Sequence, residues 1–238
     1  MKLSTLLFAV AVCLPMSSLL AQHDHGHEHL HLYAGRPTSD GQTILAGSDF
    51  DNEIHLEAHI FEGDLEEVTL SSGSYYTATE PGYLTPTATN GNPWPLLEGE
   101  GITMNNVAYT LEGVTSDLFY WDGTGEVSFS DSPAVLAITQ NTGLADADGY
   151  LHGHPIFDID DPATTELPAA GIYMAPFNLE LDGLEASETG LLLFVTGEDF
   201  EEGVELAEEY LHSQMVPEPA SLALVGLALC GLAVVARR

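Results

Sequence analysis

Between residues 40 and 200 the chain is written in short runs. Segments of four to seven apolar or alternating residues are separated by turn-forming clusters every 8 to 15 residues, among them Asp40-Gly41, Glu80-Pro81-Gly82, Asn90-Gly91-Asn92-Pro93, Asp122-Gly123, Asp148-Gly149 and Asp161-Pro162. Ile54 to Ile60 and Val107 to Leu111 alternate strictly, as half-buried strands do. Phe119-Tyr120-Trp121 and Val127-Ser128-Phe129 flank Asp122-Gly123-Thr124-Gly125 and predict a hairpin. Val135 to Thr139, Ile156 to Ile159, Gly171 to Met174 and Leu191 to Val195 complete the strand set. Many short strands joined by Gly/Pro turns predict a mostly β fold, an antiparallel β-sandwich or jelly roll spanning residues 29–213 as one domain. One stretch changes period. Phe200, Val204, Ala207 and Leu211 form a single apolar stripe, predicting an amphipathic C-terminal helix over 199–212 with Thr196 and Asp199 at capping-box spacing.

The two chain ends are continuously apolar instead. Lys2 followed by Leu3 to Leu14 and a small residue at Ala21 predicts a secretory signal over 1–21, removed by signal peptidase. Ala220 to Ala236 is a 17-residue apolar run closed by Arg237-Arg238, just long enough for a transmembrane helix with its arginines on the cytoplasmic face.

Charge sharpens this division. The chain has 37 acidic residues and four basic ones, a net charge of −33. Lys2, Arg237 and Arg238 lie in the end segments and Glu218 is the one acid beyond residue 215, so residues 22–215 hold 36 acids against Arg36 alone. That charge excludes nucleic acid and anionic membrane as partners of the body, leaving membrane contact to the C-terminal helix before processing. Cys13 and Cys230 both fall in the end segments, so a metal site in the body must use His and carboxylate.

Half of the ten histidines open the body: His23, His25, His27, His29 and His31 fall on every second residue. Drawn out as a strand, they make a row of imidazoles on one face. Imidazole is the commonest protein ligand for zinc, copper and nickel, and such tracts read as metal-binding. His152-Gly153-His154 puts two more imidazoles at i, i+2 beside a strand start, a spacing at which both can hold one ion. His55 and His59 flank Glu57 on the polar face of a strand; ligand and bystander weigh equally there, and Leu56 breaks the helical metalloprotease pattern. The expected site joins His29 and His31 to His152 and His154 across neighbouring strands, with His55 or His59 nearby, zinc first. His23, His25 and His27 act as an accessory chelating arm. His212 ends the helix and serves its C-terminal carbonyls.

Calcium is possible at the carboxylates. Ala145-Asp146-Ala147-Asp148-Gly149 lacks the remaining EF-hand positions, and Asp158, Asp160 and Asp161 read first as turn aspartates. No nucleophile–base signature is present, which points away from an enzyme.

Val216-Pro217-Glu218-Pro219, the apolar helix and Arg237-Arg238 resemble the PEP-CTERM sorting signal of Gram-negative bacteria (residues 215–238). The resemblance implies recognition by an exosortase, an inner-membrane intermediate, cleavage near the Pro-Glu-Pro, and export to the cell surface or extracellular matrix. His31-Leu32-Tyr33-Ala34-Gly35 and the run from His152 through Pro168 and Gly171 to Tyr173 resemble His-rich, zinc-associated surface proteins, which implies zinc handling at the envelope. The alternative is a structural or adhesive matrix protein, binding calcium or extracellular polysaccharide with no specific transition-metal site.

Overall fold

The computed structural model describes residues 31–36, 43–48, 60–85, 95–140, 143–181, 183–197 and 200–215. In chain order the strands are β1 (His31–Gly35), β2 (Ile44–Ser48), β3 (Ile60–Asp64), β4 (Glu66–Leu70), β5 (Gly73–Ala78), β6 (Gly82–Leu84), β7 (Ile102–Asn106), β8 (Tyr109–Leu111) and β9 (Val114–Ser116). They continue with β10 (Phe119–Trp121), β11 (Ser130–Asp131), β12 (Val135–Thr139), β13 (His152–Gly153), β14 (Ile156–Asp160), β15 (Ile172–Leu181) and β16 (Gly190–Val195), followed by helix α1 (Glu201–Met215).

The central sheet has the order β11-β10-β15-β16-β3, with β7 pairing the far end of β15. Its two middle strands, β15 and β16, read as near-continuous apolar runs, and every residue of β16 is buried. Such strands must be covered on both sides. One face carries Ile172, Met174, Leu191, Leu193 and Val195, closed by Val204, Ala207 and Leu211 of α1. The other carries Tyr173, Ala175, Phe177, Leu192 and Phe194, covered by a second layer. That layer consists of β12-β14-β5-β4 and β13-β6-β1-β2. Phe157 from it meets Phe194 with ring centroids 5.0 Å apart, both fully buried. Truncating a ring so placed costs about 3–5 kcal/mol.

The expected strands at Val135, Ile156 and Leu191 are present, and the stripe Val204, Ala207, Leu211 faces the core as its period requires. Four expectations change. The strand expected to end at Met174 runs on to Leu181 through Pro176. Pro176 O accepts from Val107 N at 3.0 Å, so its missing N–H falls on the flank where β10 has ended and β7 begins, and no ladder bond is lost. The hairpin partner of β10 is Ser130–Asp131, not Val127–Phe129, because Phe129 turns inward to the α1-side core. The sheets are not wholly antiparallel: β3 runs parallel to β16, and β1 to β6. β3 passes directly into β4 of the other layer. Finally, the Thr196 hydroxyl accepts from Gly171 N at 2.7 Å, so it secures the start of β15 rather than capping α1.

The segments 1–21, 22–30, 54–59 and 216–238 lie outside the described residues. Among the described residues no helix is long and apolar enough to cross a membrane.

Candidate functional site

The two four-stranded sheets of the second layer share their strands in sequence: β5 leads into β6, and β13 into β14. At the junction the ladder slips. Ala78 pairs with Phe157 and Tyr83 with Gly153, so four residues (79–82) face three (154–156). This is bulge geometry, which kinks the pair and re-aims a side chain. The side chain at the kink is His154.

Its imidazole lies against Thr79, Glu80 and His152. Nδ1 lies 3.2 Å from Thr79 O and 3.2 Å from Glu80 Oε1. Nε2 lies 2.8 Å from His152 Nε2, with the ring centroids 4.6 Å apart. Two acceptors at Nδ1 assign the proton to that nitrogen and leave the Nε2 lone pair pointing at His152. Glu80 is itself fixed, because Gly82 N donates to its Oε2 at 2.9 Å. A carboxylate or carbonyl behind one ring nitrogen, with the other aimed outward, is how metal-ligating histidines are oriented.

The backbone explains the placement. A Cβ on Gly82 would lie 2.9 Å from both Cε1 and Nδ1 of His154, so the ring occupies the space a side chain would fill. A Cβ on Gly63 would lie 2.5 Å from Glu80 O, so β3 of the central sheet gives the bulge its seat. On the other side, buried Thr85 accepts from Leu151 N at 2.7 Å and donates to Gly149 O at 3.0 Å, which clamps the residue before His152 to the end of β6. His152 is exposed, and His154 and Glu80 are half-buried, so the pair faces outward from a firm base.

His152 and His154 are therefore brought together as expected. His31 stands in β1 at the register position opposite Gly82, two strands from β13 in the same sheet. His23, His25, His27, His29, His55, His59, Val216, Pro217, Glu218, Pro219, Arg237 and Arg238 lie outside the described residues. His212 lies in the last turn of α1, exposed. Among the described residues no group of three or more His, Cys, Asp or Glu converges as a ligand set. Glu80 and Gly82 were read from the sequence as turn residues only. The one available signal was that Glu80-Pro81-Gly82 interrupts two strand-like runs, where bulges form.

The carboxylates considered for calcium have other duties. Asp146 Oδ1 accepts from Asp148 N at 2.9 Å and Tyr150 N at 3.0 Å, and Asp161 Oδ1 from Ala163 N at 2.9 Å. Both are turn aspartates. Asp158 accepts from Thr77 Oγ1 at 2.7 Å, and with Asp160 and Tyr75 it lines a shallow groove of about 350 Å³ on the outer face of β5, β14 and β12. Arg36 pairs with Glu100, whose Oε2 also accepts from Leu97 N at 2.7 Å.

Comparison with known proteins bears on the C-terminus. Residues 216–238 match the family model of the PEP-CTERM protein-sorting motif. The motif supports export to the cell envelope or surface and implies processing by an exosortase. No curated protein and no solved structure matches the chain. The resemblance of the body to His-rich, zinc-associated families gains nothing from these comparisons.

Proposed function

We propose that this chain is a surface-sorted protein that binds a divalent transition metal, zinc first, at the kink between β6 and β13. His152 and His154 are the central ligands, and His31, at the register position across Gly82, is the third. His29 and the accessory arm His23, His25 and His27 precede β1 in sequence and deliver or retain further ions; His55 and His59 lead into β3 and are secondary candidates. The sorting motif sets the destination, and the body does the binding. Calcium is disfavoured at this site, because calcium takes oxygen ligands and two imidazoles offer nitrogen.

The observation that carries the reading is the facing Nε2 pair at 2.8 Å, with the Nδ1 of His154 held from behind. Two ligands at Zn–N distances of about 2.0–2.1 Å in tetrahedral geometry stand roughly 3.3 Å apart, so replacing the shared proton by zinc needs an opening of only about 0.5 Å. Copper and nickel compete by affinity alone.

Zinc titration of the full chain in mild detergent, with and without His152→Ala/His154→Ala, tests this. The expected result is loss of the tightest zinc equivalent in the double variant, with the fold retained. Wild-type zinc affinity in the double variant, or no binding tighter than about millimolar in either protein, overturns the assignment.

A further inference from the structure

We infer that the outer face of the sheet β12-β14-β5-β4 binds a neutral polysaccharide, with Tyr75 as the platform on which a sugar ring stacks and Asp158 and Asp160 as acceptors for its hydroxyls. The inference goes beyond the metal reading and uses none of its residues.

The ladder registers define this face. Tyr76, Phe157 and Ile159 are buried, and Leu136 and Ile138 pack against the same core, so these residues point inward. Alternation turns their neighbours outward. Asp158 lies opposite Thr77 on one side and Ala137 on the other, which makes one outward row. In the next row Val68 lies opposite Tyr75, and Asp160 opposite Val135. The open face of an antiparallel sheet is ordinarily polar. This one keeps Val135 half-exposed and Tyr75 half-buried beside its two carboxylates.

The groove these rows line measures about 350 Å³, within the range of about 300–1,000 Å³ that small-ligand sites occupy. The loop after β14 walls one end. Thr164 N donates to Asp161 O at 3.1 Å, Ala163 N to Asp161 Oδ1 at 2.9 Å, and Ser74 N to Thr165 O at 3.1 Å, which fastens the loop to β5. A pyranose has a face of C–H groups and a rim of hydroxyl donors. Tyr75 matches the face, since an aromatic ring offers a large apolar surface with a polar tip. The aspartates match the rim, because an ionised carboxylate only accepts and its hydrogen bonds are charge-assisted. Asp158 Oδ1 already accepts from Thr77 Oγ1 at 2.7 Å, which orients the carboxylate toward the groove it lines. None of the described lining residues is Lys, Arg or His, so an anionic sugar is repelled. A cation, in turn, meets carboxylates all over a body that holds 36 acids. What distinguishes this groove from the rest of that surface is the apolar row of Tyr75 and Val135, and that row selects an uncharged ring.

Affinity electrophoresis and calorimetric titration of the full chain in mild detergent test this. Dextran, mannan and galactan are the neutral probes, alginate the anionic one and polylysine the cationic one. At least one neutral polymer is expected to bind more tightly than about millimolar, and to stay bound in about 300 mM sodium chloride. Tyr75→Ala and Asp160→Asn are each expected to weaken that binding by about tenfold or more, with the thermal midpoint retained. If Tyr75→Ala does not fold, Asp160→Asn, an isosteric change at an exposed position, decides alone. Three results overturn the assignment: no neutral polymer bound, wild-type affinity in the folded variants, or binding confined to alginate or polylysine.

Discussion

Glu80 shows what a single residue contributes and why it was hard to see. Its carboxylate accepts from Gly82 N and faces His154 Nδ1, so it fixes which ring nitrogen carries the proton. Changing Glu80 to Gln preserves size and leaves a carbonyl oxygen for Gly82 N, but it removes the charge behind the imidazole. The expected outcome is zinc affinity lower by about ten- to a hundredfold with little change in thermal stability, read by competition titration against a chromogenic chelator. An unchanged affinity would mean that Thr79 O alone orients the ring. The His-x-His pair was legible because its chemistry lies within three residues. Glu80 was not, because it meets His154 across 74 positions of sequence, and the bulge that joins them leaves no periodic trace.

At the scale of elements, the helix was legible from its stripe, but the contact that tunes its docking was not. Glu208 of α1 is hydrogen-bonded to Glu62 of β3, and its carboxyl is pushed up to about 8, first by burial and then by the charges of Glu62 and Glu205. The folded state therefore holds a proton that the unfolded chain, with a carboxyl near 4.5, releases. The stabilising contribution is complete below about pH 4.5 and is lost as pH rises through about 8, at up to about 1.4 kcal/mol per unit. Glu208→Gln removes the titration and keeps a donor for Glu62. Its unfolding free energy is expected to exceed that of the wild type by a margin that grows from about pH 5 to about pH 9, measured by urea unfolding across that range. A margin independent of pH would place the proton elsewhere. The apolar stripe leaves the glutamates of α1 on its other faces, and Glu205 and Glu209 are indeed exposed. It could not show that an edge strand presents a second carboxylate to Glu208, because the parallel pairing of β3 with β16 is set by tertiary crossing and not by local pattern. The same reason hid the parallel β1–β6 pair.

The whole molecule is governed by a charge that composition displayed in full. Residues 22–215 carry 36 acids against Arg36, and Arg36 is already paired with Glu100. Such a surface repels itself, and the doubly covered strands β15 and β16 supply the apolar burial that opposes this. The same field draws cations inward and raises their concentration at the half-open histidine pair. Added salt acts on both effects, with opposite results. Raising sodium chloride from about 10 mM to about 300 mM shortens the screening length from about 30 Å to under 10 Å. The thermal midpoint is expected to rise, because repulsion among the carboxylates is screened. The zinc association rate is expected to fall over the same range, because the attraction is screened too. Stopped-flow mixing and thermal unfolding on matched samples measure the pair of slopes. If both quantities move in the same direction, the acidic surface does not act on the site as a shared field, and the cation capture must instead arise locally, at His152, His154 and Glu80.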